Sequence, residues 1–270
     1  MVTLHRLVAA AFGVLLDPLA NLPPLIGLTL VSAVAGLILL AGMRLSSKPQ
    51  AIRAAKQKVQ AHLLATRLYR HELITVWRSL GALLVALAVY LGHMLRPFIV
   101  LLIPFALLFA HLEARYASRP LQPGDRTIVR AIAATGTPAE WRLEVPPGVT
   151  LASVGVRLPA LHEIDWRIRA ETPGSYHLTL VADGERVQKT LQVGGAAGAA
   201  VRRAQASLQA LLDAPVEAAI DNGSSVAAIE VEYPAQRFTV LGWRLHWVVV
   251  FLIVSAVVAL LLRRRAGVEF

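Results

Sequence analysis

A run of 26 residues without one Asp, Glu, Lys or Arg, residues 18–43, constrains this chain more than any other feature. A helix crosses the ~30 Å hydrocarbon core of a bilayer with about 20 apolar residues, so this run is long enough to span one. Three further charge-free runs follow: 79–95 (17 residues), 97–112 (16) and 245–262 (18). Charged residues make up 16% of the 270 and hydrophobic residues 56%, against roughly 25% charged in soluble globular domains. That balance excludes a soluble enzyme built around one large core. The absence of cysteine excludes a disulfide framework, a thiolate zinc site and a cysteine nucleophile.

The charges that remain are segregated. Residues 44–78 hold eight basic residues (Arg44, Lys48, Arg53, Lys56, Lys58, Arg67, Arg70, Arg78) against one acid, Glu72, for a net +7. Residues 119–237 hold twelve basic and thirteen acidic residues, for a net −1. Short loops rich in Lys and Arg stay cytoplasmic, whereas a long near-neutral segment is free to translocate. Arg263, Arg264 and Arg265 hold the last apolar run on the inner side as well. The expected protein has three spans in the inner (cytoplasmic) membrane, with its N-terminus outside and its C-terminus in the cytoplasm. Its expected parts are an amphipathic segment on the outer face (1–21), spans at 22–43, 96–116 and 242–262, and a tail at 263–270. Between them lie a basic cytoplasmic helical hairpin (44–95), an extracytoplasmic β-sandwich (117–194) and a linker with a short amphipathic helix (195–241).

His5 and Arg6 before an apolar stretch resemble a signal peptide, but Asp17, Pro18 and the Pro23-Pro24 pair stand where a small-residue cleavage site belongs. An amphipathic helix on the outer face fits these residues better. Prolines suit the first turn of the next helix, where the missing N–H costs nothing.

Residues 50–72 lack Gly and Pro and are rich in good helix formers. Beyond them Leu73, Trp77, Leu80, Leu84, Leu87, Leu91 and Met94 are spaced 4-3-4-3-4-3, the heptad pattern of a helix that packs along a seam. This predicts that 73–94 pairs with 50–72 as a hairpin. In an alternative reading 79–95 is itself a short transmembrane helix, which reverses the sidedness of everything downstream. The span from Pro97 covers only roughly 24 Å over its charge-free core, and Pro104 predicts a kink inside it.

A first span ending in Arg44, a basic hairpin, and a span opening Met94-Leu95-Arg96-Pro97-Phe98 and continuing Ile99-Val100-Leu101-Leu102-Ile103-Pro104-Phe105 resemble the YidC-type membrane insertase superfamily. The likeness is closest to its archaeal three-span members and to the third subunit of the endoplasmic reticulum membrane complex, over about residues 20–116. The resemblance implies passage of short polar segments through a charged groove, with Arg44 and Arg96 supplying the groove charge. It also implies that the hairpin, through Arg53, Lys56, Lys58, Arg67 and Arg70, meets nascent membrane proteins, ribosomes or lipid. Trp77, Leu80, Leu84, Leu87, Leu91 and Met94 are the hairpin seam. In those relatives the third span follows the second closely, whereas about 120 residues intervene here, and residues 22–43 carry no mid-span charge. Arg44 and Arg96 are equally the ordinary anchors of two cytoplasmic span ends.

From 120 to 194 the hydrophobic period becomes two. Segments 127–132, 141–145, 154–158, 164–168, 176–180 and 187–193 alternate apolar with polar residues between Gly and Pro turns, as an antiparallel sandwich requires. The run 173–178 before Asp183-Gly184 is similar to the late strands of an immunoglobulin-like domain. No metal-ligand cluster, nucleophile elbow or phosphate loop is present, so no catalytic residue, metal or cofactor is expected. Asn222-Gly223 reads as a turn. Tyr233, Trp243 and Trp247 stand where interfacial aromatics gather before the last span.

The expected function is that of an insertase-like factor or membrane-protein chaperone whose partners are the bilayer and nascent membrane proteins. The alternative is a structural or signalling protein, in which the sandwich binds an envelope protein and the hairpin self-associates.

Overall fold

The computed structural model describes residues 2–19, 22–46, 54, 56–61, 63–64, 73–136, 140–195 and 198–266. The chain divides into two compact units, one of residues 1–32 with 106–253 and one of residues 33–105 with 254–270. Its helices are α1 (Val2–Leu16), α2 (Pro24–Ser46), α3 (Leu73–Tyr116), α4 (Ala210–Asp213) and α5 (Trp247–Ala266). Two stretches are long and apolar enough to cross a membrane: Pro24–Gly42 in α2 and Ile99–Tyr116 in α3. The apolar part of α5, Trp247–Leu262, is shorter. As expected, α2 opens on proline, with the Ile26 N–H donating to Pro23 O at 2.9 Å.

The boundary expected at residue 95/96 does not exist. α3 is one helix of 44 residues, about 66 Å long, and runs through both Pro97 and Pro104. Each proline removes a single backbone hydrogen bond, and apolar helix formers on both sides carry the helix across the gap.

In the smaller unit the helices approach closely at glycines. A Cβ on Gly36 of α2 would lie 2.7 Å from the Ser255 carbonyl oxygen of α5, and one on Gly42 would lie 2.7 Å from a Leu101 methyl of α3. Small residues at such crossings let backbones meet, the usual device of helix packing in lipid.

The larger unit holds eleven strands among the described residues: β1 (Arg126–Ala133), β2 (Arg142–Glu144), β3 (Val149–Leu151), β4 (Val156–Leu158), β5 (Glu163–Ala170), β6 (Gly174–Ala182), β7 (Glu185–Val193), β8 (Arg202–Ala204), β9 (Val226–Val231), β10 (Phe238–Val240) and β11 (Trp243–Leu245). One antiparallel sheet has the order β3-β5-β1-β9-β8, with β4 also on β5; a second is β2-β6-β7; β10 and β11 form a separate hairpin. Alternation turns Val129, Ala131, Ile164, Trp166 and Ile168 of the first sheet, and Leu143, Leu178, Leu180 and Leu191 of the second, into one shared core. Burial strictly alternates along β1, from Arg126 outward to Ala133 inward.

The linker expected at 195–241 is largely sheet. The short helix expected within 195–241 is the four residues of α4, because Arg202–Ala204 pairs with β9 as strand β8 and β9 pairs with β1. Long-range pairing there overrides local helix propensity. The helix expected as a third span likewise starts later, at Trp247: residues 243–245 are strand β11, and Gly242 in a positive-φ turn (84°) separates it from β10.

Candidate membrane and helix-docking site

Of the residues expected to supply groove charge, Arg44 falls in the last turn of α2, with its side chain outside the described residues, and Arg96 is exposed on α3. Lys56 and Lys58 are exposed on a helical stretch, while Arg53, Arg67 and Arg70 lie outside the described residues. Of these side chains only those of Arg96, Lys56 and Lys58 are described, and each is exposed.

The heptad seam has an unexpected placement. Trp77, Leu80, Leu84, Leu87 and Leu91 are all on α3 and are 37–74% exposed; most of residues 50–72, the expected hairpin partner, and the Met94 side chain lie outside the described residues. Val85, Val89, Leu95, Ile99, Val100, Leu102 and Ile103 are exposed as well. The apolar surface thus continues from the heptads into the membrane-length segment of the same helix, with Arg96 the one charged residue between positions 79 and 112.

In the larger unit the end of α3 and the start of α5 are fastened to each other. The Trp247 indole N–H donates to Glu113 at 2.8 Å, and Phe109 packs edge-on against Phe251 with ring centroids 4.9 Å apart. On α1, His5 is buried and donates from Nε2 to Ala214 O at 3.0 Å, and Phe12 stacks on His111 at 4.1 Å. α1 and the end of α3 border a cavity of about 640 Å³ that is closed on its other side by Thr190, Gln192, Glu217 and Tyr233.

Beside that cavity lies an ion pair that the sequence did not announce. Lys189 is 1% exposed; its Nζ lies 3.0 Å from Glu217 and donates to the Ala200 carbonyl at 2.5 Å and the Thr190 carbonyl at 3.2 Å. Glu217 also accepts from the Thr190 backbone N–H at 3.0 Å. Burial pushes the Lys189 ammonium below its usual range, against the opposing pull of Glu217. The pair ties the segment between α4 and β9 to β7, a structural use of charge. In sequence Lys189 stands on the inward parity of β7, with Val187, Leu191 and Val193, as a polar break in the alternation, and only the fold supplies the Glu217 that meets it there.

The three aromatics expected at the membrane interface separate. Tyr233 is buried, with its phenol oxygen accepting from Gln192 N–H at 3.0 Å, and Trp247 is buried against Glu113; of the three, only Trp243 is exposed. Tyr233 serves the β-domain core instead, and burial pushes its phenol well above the ordinary range. His162 and Asp165, three residues apart, take different partners: His162 bonds Gly136 O at 2.7 Å, and Asp165 takes the Arg130 guanidinium at 3.3 Å. Among the described residues no group of three His, Asp or Glu side chains is placed to hold a metal ion. Compared with protein-family models, curated proteins and solved structures, the chain matches none.

Proposed function

We propose that this chain is a three-span protein of the cytoplasmic membrane that acts as an insertase-like factor or membrane-protein chaperone, receiving apolar segments on α3. One observation carries the reading. The stretch of α3 from 79 to 112 carries Arg96 as its one charge, and its 34 residues measure about 51 Å. A helix tilted by 40°, the upper end of the usual range, still projects ~39 Å of that length along the bilayer normal, against a ~30 Å hydrocarbon layer. Apolar helix is left beyond the lipid, its side chains exposed. A transient helical partner, such as an apolar segment on its way into the bilayer, buries that surface at about 25 cal/mol per Å².

The charges fit the same picture. Lys56 and Lys58, with the rest of the +7 stretch, hold the base of α3 at an anionic inner surface at about 1 kcal/mol each. The apolar part of α5 is about 24 Å long, short for a span, and the three arginines that follow it snorkel to the inner interface. A short span thins the bilayer locally, and a thin bilayer lowers the cost of passing a polar segment. The resemblance over residues 20–116 supports the same class.

We read the β-domain as an extracytoplasmic immunoglobulin-like sandwich. The orders β1-β5-β3 and β2-β6-β7 correspond to the B-E-D and C-F-G sheets of that fold. Leu121 bridges Val193 of β7 in parallel, as a first strand does beside G. Tyr176, at the start of β6, donates its hydroxyl to the Thr172 carbonyl at 3.0 Å, the tyrosine corner of such domains. β9 takes the place beside β1 that an N-terminal strand holds in the usual arrangement.

The 4-3 spacing of the exposed seam favours one competing reading, a structural protein that self-associates through α3. A photo-crosslinking residue at Leu84 or Leu87 separates the two in cells. Adducts with nascent membrane proteins, lost when translation is stopped and chains are chased, are expected; adducts only with a second copy overturn the chaperone reading in favour of the structural one.

A further inference from the structure

The end of the β-domain that joins α3 and α5 carries a second apolar feature, at the tip of the β10–β11 hairpin. Leu241 is 95% exposed and Trp243 73% exposed. Both central turn residues have positive φ, 51° at Leu241 and 84° at Gly242, the geometry of a type I′ hairpin. That first turn position favours Asn, Asp or Gly, and leucine there meets a steric penalty from its own Cβ. A strained leucine pointing into water stabilises nothing within the protein, so its use lies outside it. The pairings Phe238 with Leu245 and Val240 with Trp243 put four apolar residues on one face of the hairpin, with Thr239 and Arg244 on the other. The base of that face is buried, where Phe238 packs near Tyr116 of α3 with ring centroids 6.4 Å apart.

Arginines stand around the same end. Gly124 N–H donates to Ala170 O at 2.7 Å and Gln236 N–H to Ala117 O at 2.7 Å, so the strap leaving α3 ties down the start of β1, the end of β5 and the segment before β10. Arg126 and Arg169 lie directly opposite each other in the β1–β5 register, both facing outward. Like charges so placed destabilise a sheet. Among the described residues none of the ion pairs involves Arg126, Arg169, Arg237 or Arg244. Acids nearby are Asp125, held by Arg119 at 3.4 Å, the exposed Glu171 two residues beyond Arg169, and Glu232, in the next row beside Ile128. One row further into the same sheet, by contrast, Arg130 is met by Glu163, Asp165 and Glu230.

We propose that this end of the β-domain docks on the outer surface of its own membrane, with Leu241 and Trp243 inserted below the headgroups and Arg126, Arg169, Arg237 and Arg244 on anionic phospholipid phosphates. The partner is an anionic phospholipid surface. The proposal rests on the reading of α3 and α5 as spans. Trp at headgroup depth beside Arg is the pairing that interfaces favour. α5 begins two residues after β11, so the hairpin lies next to a span in sequence.

The natural absence of cysteine makes single-site labelling of the full chain free of background. An environment-sensitive NBD label is placed at Leu241→Cys, at Ala160→Cys on the exposed 3-10 turn before β5, and at Ile253→Cys on α5. The protein is reconstituted in phosphatidylcholine vesicles with and without one-third phosphatidylglycerol. The Leu241 label is expected to be quenched by shallow spin-labelled lipid and protected from iodide, the Ala160 label the reverse, and the Ile253 label quenched by deep spin-labelled lipid. Replacing Arg126 and Arg169 with glutamine is expected to lower the docked-to-undocked ratio at Leu241 about fivefold per charge in anionic vesicles, and not in neutral ones. A Leu241 label as open to iodide as the Ala160 label overturns the proposal, as does one shielded from iodide but unquenched by lipid, which marks a protein partner. An Ile253 label open to iodide overturns the span reading instead and leaves the docking result to be read on its own.

Discussion

The β-domain and the first half of α3 both carry regularly patterned apolar side chains and dispose of them in opposite ways. In the β-domain alternation delivers Val129, Trp166, Leu178 and Leu191 to one shared core, and the charges left over pair across strands, as Arg130 does with Asp165. In α3 an equally regular pattern, from Trp77 to Leu91, ends on an exposed surface. Regular patterning therefore reports that a face will be buried and says nothing about what buries it. For β1 the partners lie in the same chain, at β5 and β9; for the first half of α3 the seam residues stand exposed.

Removing a core side chain tests the first half of this contrast with the largest effect. Trp166 is buried in β5, and Gly155 leaves room for it, since a Cβ there would lie 2.6 Å from the indole nitrogen. Trp166→Ala is expected to cost about 3–5 kcal/mol, seen as loss of hydrogen-exchange protection throughout β1, β5 and β9. Protection of the helical segments of α2 and α3 should persist. A variant that keeps full protection in the β-domain would show that its core is not shared as described.

A smaller effect follows from Tyr233. Its folded-state phenol titrates well above its ordinary value of about 10, so it contributes stability that is fully present below pH ~10 and is lost as pH rises through the folded value. β-domain protection should therefore fall on raising the pH beyond ~10. Tyr233→Phe should blunt that fall while costing about 1 kcal/mol at neutral pH, because the Gln192 N–H loses its acceptor. An unchanged alkaline profile would place the titration elsewhere.

How much of this was legible in the sequence follows the range of the interactions. Period-two segments at 127–132, 164–168, 176–180 and 187–193 fall within β1, β5, β6 and β7, because a strand's alternation is local. β9 escaped, although Val226, Ile229 and Val231 signal a strand: its alternation is broken, with Ala228 and Ile229 both buried next to a register shift at Ile132/Ala133. β8 escaped because Arg202-Arg203-Ala204 has no strand character apart from its pairing. For the candidate site, the heptads and the basic stretch were legible, while the bareness of the seam was not, since exposure depends on what the rest of the chain fails to cover. The facing arginines 126 and 169 are 43 residues apart and meet only through the β1–β5 register. The strained turn at Leu241 reads in sequence as an ordinary Leu-Gly.

The smallest expected effect on folding bears most directly on the contrast. Leu84 and Leu87 are exposed on α3, and surface positions of this kind change stability by no more than about 0.5 kcal/mol, so Leu84→Ala with Leu87→Ala should leave thermal unfolding in detergent nearly unchanged. The same truncations remove apolar area from any bound helix, about 1.5–3 kcal/mol for each leucine it had buried, and crosslinks from a probe at Leu80 should fall tenfold or more. Two leucines with almost no weight in the fold and large weight in partner capture identify the bare seam as a working surface. Equal and large losses in both measurements would mean that α3 is covered within its own chain, and the contrast with the β-domain would dissolve.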